Sequence, residues 1–228
     1  MFSGPPGTGK TLSAEVIAKE IGLDLYRIDL SSLVSKYIGE TEKNLDKVFR
    51  AAEGGTMVLL FDEADAVFGK RSEVSDANDR YANVETSYLL QRLETYDGVV
   101  ILTTNYASNI DNAFMRRIHV SVEFTPPDEI ERLRLWAQSF PAAAPLGELD
   151  LPLLARRFKL SGSAIRSVAL GAAFRAASAG QAIDMDLIVE SLRSELRKQG
   201  RVATSGDLLS EPEEIGRASC RERVCLAV

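Results

Sequence analysis

"GPPGTGKTLSAEVIAKEIG", residues 4–22, decides the fold. Its first eight residues, Gly4-Pro5-Pro6-Gly7-Thr8-Gly9-Lys10-Thr11, fit G-x-x-x-x-G-K-[ST]. In that pattern glycines let backbone N–H groups wrap phosphate oxygens, the lysine adds a positive charge near the β- and γ-phosphates, and the Thr11 hydroxyl is offered to Mg²⁺. Leu12, Val16, Ile17 and Ile21 follow at helical spacing, so a bound phosphate meets a helix N-terminus, where orphan amides and the dipole favour an anion. Leu12 closes the candidate binding segment. Such a loop needs a strand to carry it, and only Met1 to Ser3 precede it. We therefore expect Met1 to be an internal start, with the first strand largely missing from this chain.

Working outward, apolar strands alternate with helical patterns, which argues for an α/β fold with a mostly parallel sheet. "LDLYRIDLS" (23–31) reads as a strand and "TEKNLDKVFRAAE" (41–53) as an amphipathic helix through Leu45, Val48, Phe49 and Ala52. "TMVLLFDEAD" (56–65) is a short apolar run ending in acids, as a buried central strand would be. A polar stretch, 69–80, leads to the helical "NVETSYLLQRLETY", then "GVVILTTN" (98–105) is a second buried strand and "HVSVEF" (119–124) the last one. Beyond Pro126-Pro127 only helical spacing is found, with Ser161 and Asp184 as N-cap candidates and Trp136 as a core residue. The expected organisation is an ATP-binding α/β subdomain over 1–125, a helical subdomain over 126–200 and a polar tail over 201–213.

Residues 214–228 are set apart. "EIGRASCRERV" (214–224) resembles the translation of a sequencing-library adapter, and we read the whole segment as non-native. Both cysteines, Cys220 and Cys225, fall inside it and carry no redox information. Removing it takes away three Arg and two Glu and leaves an acidic chain, as the net charge of −6 over 228 residues already indicates. Acidic balance gives no general electrostatic footprint for nucleic acid. With no apolar run of membrane-spanning length and no basic-then-apolar leader, the chain reads as cytoplasmic and without a membrane partner.

Hydrolysing a nucleotide requires a cation cradle, a metal ligand, a positioned water and a charge to neutralise the transition state. Asp62 ends a hydrophobic strand, where an open α/β sheet presents its binding edge, and is a candidate Mg²⁺ ligand beside Thr11. Glu63 is the candidate for polarising the attacking water. Asn105, ending the neighbouring strand, could orient the same water with a neutral amide. His119, the one histidine, sits in a strand pattern that gives no reason to assign it a metal. Arg166 reads as a surface arginine.

Taken in order, "GPPGTGKT", "VLLFDEAD", "ILTTN" and "NIDNAFMRRI" resemble AAA ATPases, and the resemblance covers essentially residues 1–200. It implies a P-loop NTPase sheet flanked by helices, followed by a small all-α lid domain, with ATP and Mg²⁺ as cofactors. It also implies a ring, usually a homo-hexamer, whose active sites lie between subunits. Arg116 and Arg117 would then be arginine fingers reaching a neighbour's γ-phosphate. The longer family pattern with Gly-Arg-Phe is absent, which leaves open which arginine is the main finger. Tyr37-Ile38 in "SKYIGETEKN" is similar to the family's first pore loop, which grips an extended polypeptide, and 69–82 could form a second. Several stretches look like bacterial members, including those encoded beside contractile injection systems. The implied function is ATP-driven remodelling, threading or disassembly of protein substrates. Two alternatives stay open: a nucleic-acid motor or helicase loader, suggested by "DEAD" at Asp62–Asp65, and an inactive fragment whose loop lacks its first strand.

Overall fold

The computed structural model describes residues 1–30, 40–55, 57–68, 87–141, 143–198 and 200; side chains at 40–42, 112 and 113 are outside the description. Tyr37 and Ile38, the whole 69–82 segment, and everything after Gly200 lie outside the described residues.

Five parallel strands form one sheet. They are β1 (Phe2–Ser3), β2 (Asp24–Asp29), β3 (Met57–Asp62), β4 (Val100–Thr104) and β5 (Val122–Glu123), in the spatial order β2-β3-β4-β1-β5. β3 explains why this sheet has two covered faces. Its run Val58-Leu59-Leu60-Phe61 is wholly buried, and because strand side chains alternate, Leu59 and Phe61 enter one core while Val58 and Leu60 enter the other. The first core collects Leu45 and Phe49 from α2 (Glu40–Ala51), Phe68 from α3 (Asp65–Phe68), Leu89 from the helical stretch 87–95 that we call α4, and Phe114 from α5 (Asn112–Met115). Phe68 and Phe114 stack with ring centroids 4.0 Å apart.

The second core is thinner. It receives α1 (Lys10–Glu20) through Ala14 and Ala18. The apolar residues that announce α1 in the sequence, Leu12, Val16, Ile17 and Ile21, are exposed instead. Two alanines one turn apart let the helix backbone approach the sheet closely, which turns the larger side chains of the same helix outward.

β1 is short, but it is paired on both sides: Phe2 and Ser3 align with Thr103 and Thr104 of β4, and with Val122 and Glu123 of β5. The Val122 and Phe124 amides donate to the Met1 and Ser3 carbonyls at 2.9 and 2.7 Å. A strand ladder can be no longer than its shorter member, which is why the alternating segment 119–124 forms a strand only at Val122–Glu123.

The described chain divides into two compact units. The first comprises Met1–Ser139 together with Leu151–Arg166; the second comprises Phe140–Asp150 and the chain from Ser167 onward. In the first, α6 (Glu129–Ser139) meets α7 (Leu151–Arg157) through buried Arg132, whose Nε donates to the Ala155 carbonyl at 2.7 Å and whose guanidinium reaches the Pro127 carbonyl at 2.6 Å. Trp136 is fully buried there. Ser161 caps α8 (Gly162–Ala179), accepting from the Ala164 amide, and Asp184 caps α9 (Met185–Lys198), accepting from the Leu187 amide at 2.9 Å. In the second unit Val168, Ala172 and Ala176 of α8 and Ile188, Val189 and Leu192 of α9 are buried, and Arg175 Nη1 of α8 donates to Ser191 Oγ of α9 at 3.0 Å. A parallel bridge between Leu146 and Ile183 ties its leading segment in. No helix among the described residues is long and apolar enough to cross a membrane.

Candidate nucleotide site

The strand order puts β1 inside the sheet, with its successor β2 at the far edge and β5 on its other side. In such open α/β sheets the binding crevice lies at the carboxyl ends of the strands near this reversal. The loop that leaves β1 there cannot be built from ordinary residues. Gly4, Gly7 and Gly9 adopt φ of 137°, 78° and 103°. A Cβ on Gly7 would lie 2.1 Å from Ser163 Oγ, so this glycine is required by space as well as by dihedral. The Ser163 amide donates to the Gly7 carbonyl at 3.2 Å, fastening the start of α8 to the loop. Thr8 closes the turn by donating its hydroxyl to the Pro5 carbonyl at 2.8 Å.

Lys10 is the first residue of α1 and is only 8% exposed. Its ammonium group donates to the Gly4 carbonyl at 2.6 Å, the Pro5 carbonyl at 3.0 Å and Asn105 Oδ1 at 3.0 Å, which uses all three of its protons. Burial lowers its pKa from the ordinary lysine value, and the nearby Asp62 and Asp65 carboxylates work in the opposite direction. Gly9, in the left-handed region, stands at the N-cap of α1, and no side chain caps the helix. The first amides of α1, from Lys10 to Leu12, are therefore left to an external acceptor.

Across the sheet, β3 and β4 deliver the acids. The Asp62 carboxylate accepts from Thr103 Oγ1, from the Glu63 amide at 3.2 Å and from Arg27 at 2.6 Å. Thr104 donates to Asp65 at 2.7 Å, and the Ala64 amide bonds the Thr103 carbonyl at 2.8 Å. The acidic turn is thus hung on two buried threonines at the end of β4. Glu63 is exposed and sits at φ 57°, the left-handed region.

Of the residues singled out from sequence, the loop residues Gly4 to Thr11, Asn105 and the Asp62-Glu63 pair lie at the carboxyl ends of β1, β4 and β3, with Lys10 bonded directly to Asn105. Leu12 is exposed on α1. Arg116 and Arg117 are exposed after α5, and Arg117 forms an ion pair with Glu94 of the same chain at 2.5 Å. Arg166 and His119 are also exposed. Arg27, Thr103 and Thr104 were not foreseen. The two threonines had a signal, since polar residues closing the buried run of "ILTTN" need partners; Arg27 had none, because its partner is set by strand register.

A nucleotide triphosphate with Mg²⁺ fits these residues. The glycine conformations, the uncapped α1 terminus and a buried lysine suit the phosphates. Thr11 and Asp62 suit a magnesium ion that keeps most of its water shell.

Fold and site together define a nucleotide-binding α/β protein of the phosphate-loop type. Residues 1–126 match the family model described as ATPase family associated with various cellular activities (AAA), and the chain belongs to that family. Residues 128–206 match the model of the contractile injection system ATPase helical domain. The AAA family ATPase y4kL of Sinorhizobium fredii is 38% identical over 128 residues, covering 56% of this chain and 39% of that protein. A proteasome-activating nucleotidase of Aeropyrum pernix is 32% identical over 212 residues, 88% of this chain and 52% of that protein. The ATP-dependent zinc metalloprotease FtsH 3 of Sphaerobacter thermophilus is 33% identical over 249 aligned positions, 100% of this chain and 46% of that protein. The chain spans about half or less of the length of these relatives.

Proposed function

We propose that the protein carrying this chain hydrolyses ATP and uses the energy to thread, remodel or disassemble protein substrates as a homo-hexameric ring. The observation that carries the ATPase reading is Lys10, held almost out of solvent by two carbonyls of its own loop and by Asn105. A buried ammonium satisfied by neutral oxygens gains when phosphate oxygens replace them, because charge-assisted hydrogen bonds are the stronger kind. Bound MgATP would supply the phosphoanhydride bond and a divalent charge that offsets the charge developing on the phosphates.

In this reading Gly4 to Leu12 hold the phosphates and Thr11 and Asp62 hold the metal. Glu63, exposed and unpaired among the described residues, polarises the attacking water, while Asn105 orients it. Arg116 and Arg117 complete a neighbouring subunit's site. The protein-substrate reading draws on the relatives' names, a proteasome-activating nucleotidase and an ATP-dependent protease, and on the match to a contractile injection system helical domain.

The test is binding of a fluorescent ATP analogue together with phosphate release, measured on the chain. Lys10→Ala is expected to weaken binding at least about tenfold, as loss of a charge-assisted contact should. Glu63→Gln should keep binding and lower turnover by about a hundredfold or more. Equal turnover in the Gln variant would remove Glu63 from its role.

A further inference from the structure

The carboxylate proposed to meet the metal is already engaged by protein groups. Asp62 Oδ1 accepts from Thr103 Oγ1 and the Glu63 amide, and Asp62 Oδ2 accepts from the Arg27 guanidinium at 2.6 Å. The pairing follows from register. Arg27 stands opposite Leu60 and Asp29 opposite Asp62, so the Arg27 side chain reaches its partner along the diagonal of one sheet face. Lys10 does not compete for this oxygen, since its three protons go to Gly4, Pro5 and Asn105.

The two ends of the pair differ in burial. The Asp62 side chain is 15% exposed and the Arg27 side chain 59%. A guanidinium that is mostly in solvent holds its partner weakly and releases it easily. Thr103 and the Glu63 amide grip the other oxygen, so the carboxylate keeps its orientation when the arginine leaves.

We propose that Arg27 is a positioning residue that acts as a stand-in cation, holding Asp62 Oδ2 while the site is empty and giving it up when Mg²⁺ and nucleotide bind. The inference rests on the nucleotide reading above. Its consequence is a threshold: an incoming divalent ion must displace a like charge before Asp62 can serve it, so Arg27 sets the Mg²⁺ concentration at which the site closes on its metal.

The experiment uses the full chain and N-methylanthraniloyl-ADP, titrated with Mg²⁺ at fixed nucleotide. Arg27→Met is expected to move the Mg²⁺ midpoint about two- to fivefold lower, the range an exposed ion pair commands, and Arg27→Lys to fall between. Independently, ligand-free denaturation of Arg27→Met, Asp62→Asn and the double variant should show positive coupling between the two positions. A midpoint that stays put or rises would overturn the stand-in role, and zero coupling would mean that the pair is not formed in solution. A wild-type chain that binds no labelled nucleotide would sink the proposed function and this role with it. Normal binding with an unmoved midpoint removes only the role of Arg27.

Discussion

Glu63 occupies a conformation that its residue type resists. Among the described residues it alone, glycines aside, has a positive φ, and left-handed backbone costs an L-residue roughly 1–2 kcal/mol. The turn is held in place by its neighbours: the Glu63 amide bonds Asp62, the Ala64 amide bonds the Thr103 carbonyl, and Thr104 bonds Asp65. Strain of this kind persists where surrounding contacts over-determine it, and here it falls on an exposed residue directly after the carboxyl end of β3. Asparagine tolerates the left-handed region better than glutamate does. We therefore expect Glu63→Asn to hold or raise stability in urea denaturation, by up to about 1 kcal/mol, while abolishing hydrolysis. A clear loss of stability would show that Glu63 contributes folding contacts and that the turn is not strained by it.

At the scale of elements, the loop after β1 depends on α8. Gly7→Ala would place a methyl group against Ser163 Oγ in a backbone with φ 78°, so it should destabilise the first unit by about 1–3 kcal/mol. Adding Ser163→Gly should relieve the closer contact and leave the one with Ser161 Oγ, 2.7 Å from the new methyl, together with the dihedral part; full recovery would mean that neither carries a cost. The α6–α7 junction has a comparable lock. Arg132→Met should cost about 1–3 kcal/mol in denaturation, because the buried Ala155 carbonyl and the part-buried Pro127 carbonyl lose their donor. A loss below half a kcal/mol would mean that water replaces the guanidinium. These elements differ in how far the sequence reveals them. The phosphate loop, the acids ending β3 and the caps Ser161 and Asp184 were legible because each is a local pattern whose chemistry is completed within a few residues. The outward turn of Leu12 and Val16 was not, since periodicity shows that a helix has faces but not which face the sheet accepts when alanines allow close approach. The Arg27–Asp62 pair is likewise invisible before the register of β2 on β3 is known, as is the shortening of β5 to match β1.

At the scale of the whole molecule, the proposed function requires ATP chemistry to be linked to movement of a substrate, and β2 precedes the proposed substrate-gripping segment in the chain. It carries Arg27, which holds Asp62, and it ends at Asp29, eight positions before Tyr37 in the chain. If Tyr37 and Ile38 grip polypeptide in an assembled ring, the grip consists of apolar area without specific hydrogen bonds and should tolerate many substrate sequences. Losing a tyrosine side chain from such a contact removes roughly 1.5–3 kcal/mol of burial, enough for about a tenfold or greater loss of hold on the substrate. Tyr37→Ala is therefore expected to abolish the stimulation of ATP hydrolysis by a permanently unfolded protein while nucleotide affinity persists. Tyr37→Phe should restore the stimulation, because it returns the area without the hydroxyl. Hydrolysis rates measured with and without the unfolded protein separate the outcomes. Undiminished stimulation in the alanine variant would take Tyr37 out of substrate contact, and stimulation that returned with tyrosine but not with phenylalanine would replace a grip by area with one by a specific hydrogen bond.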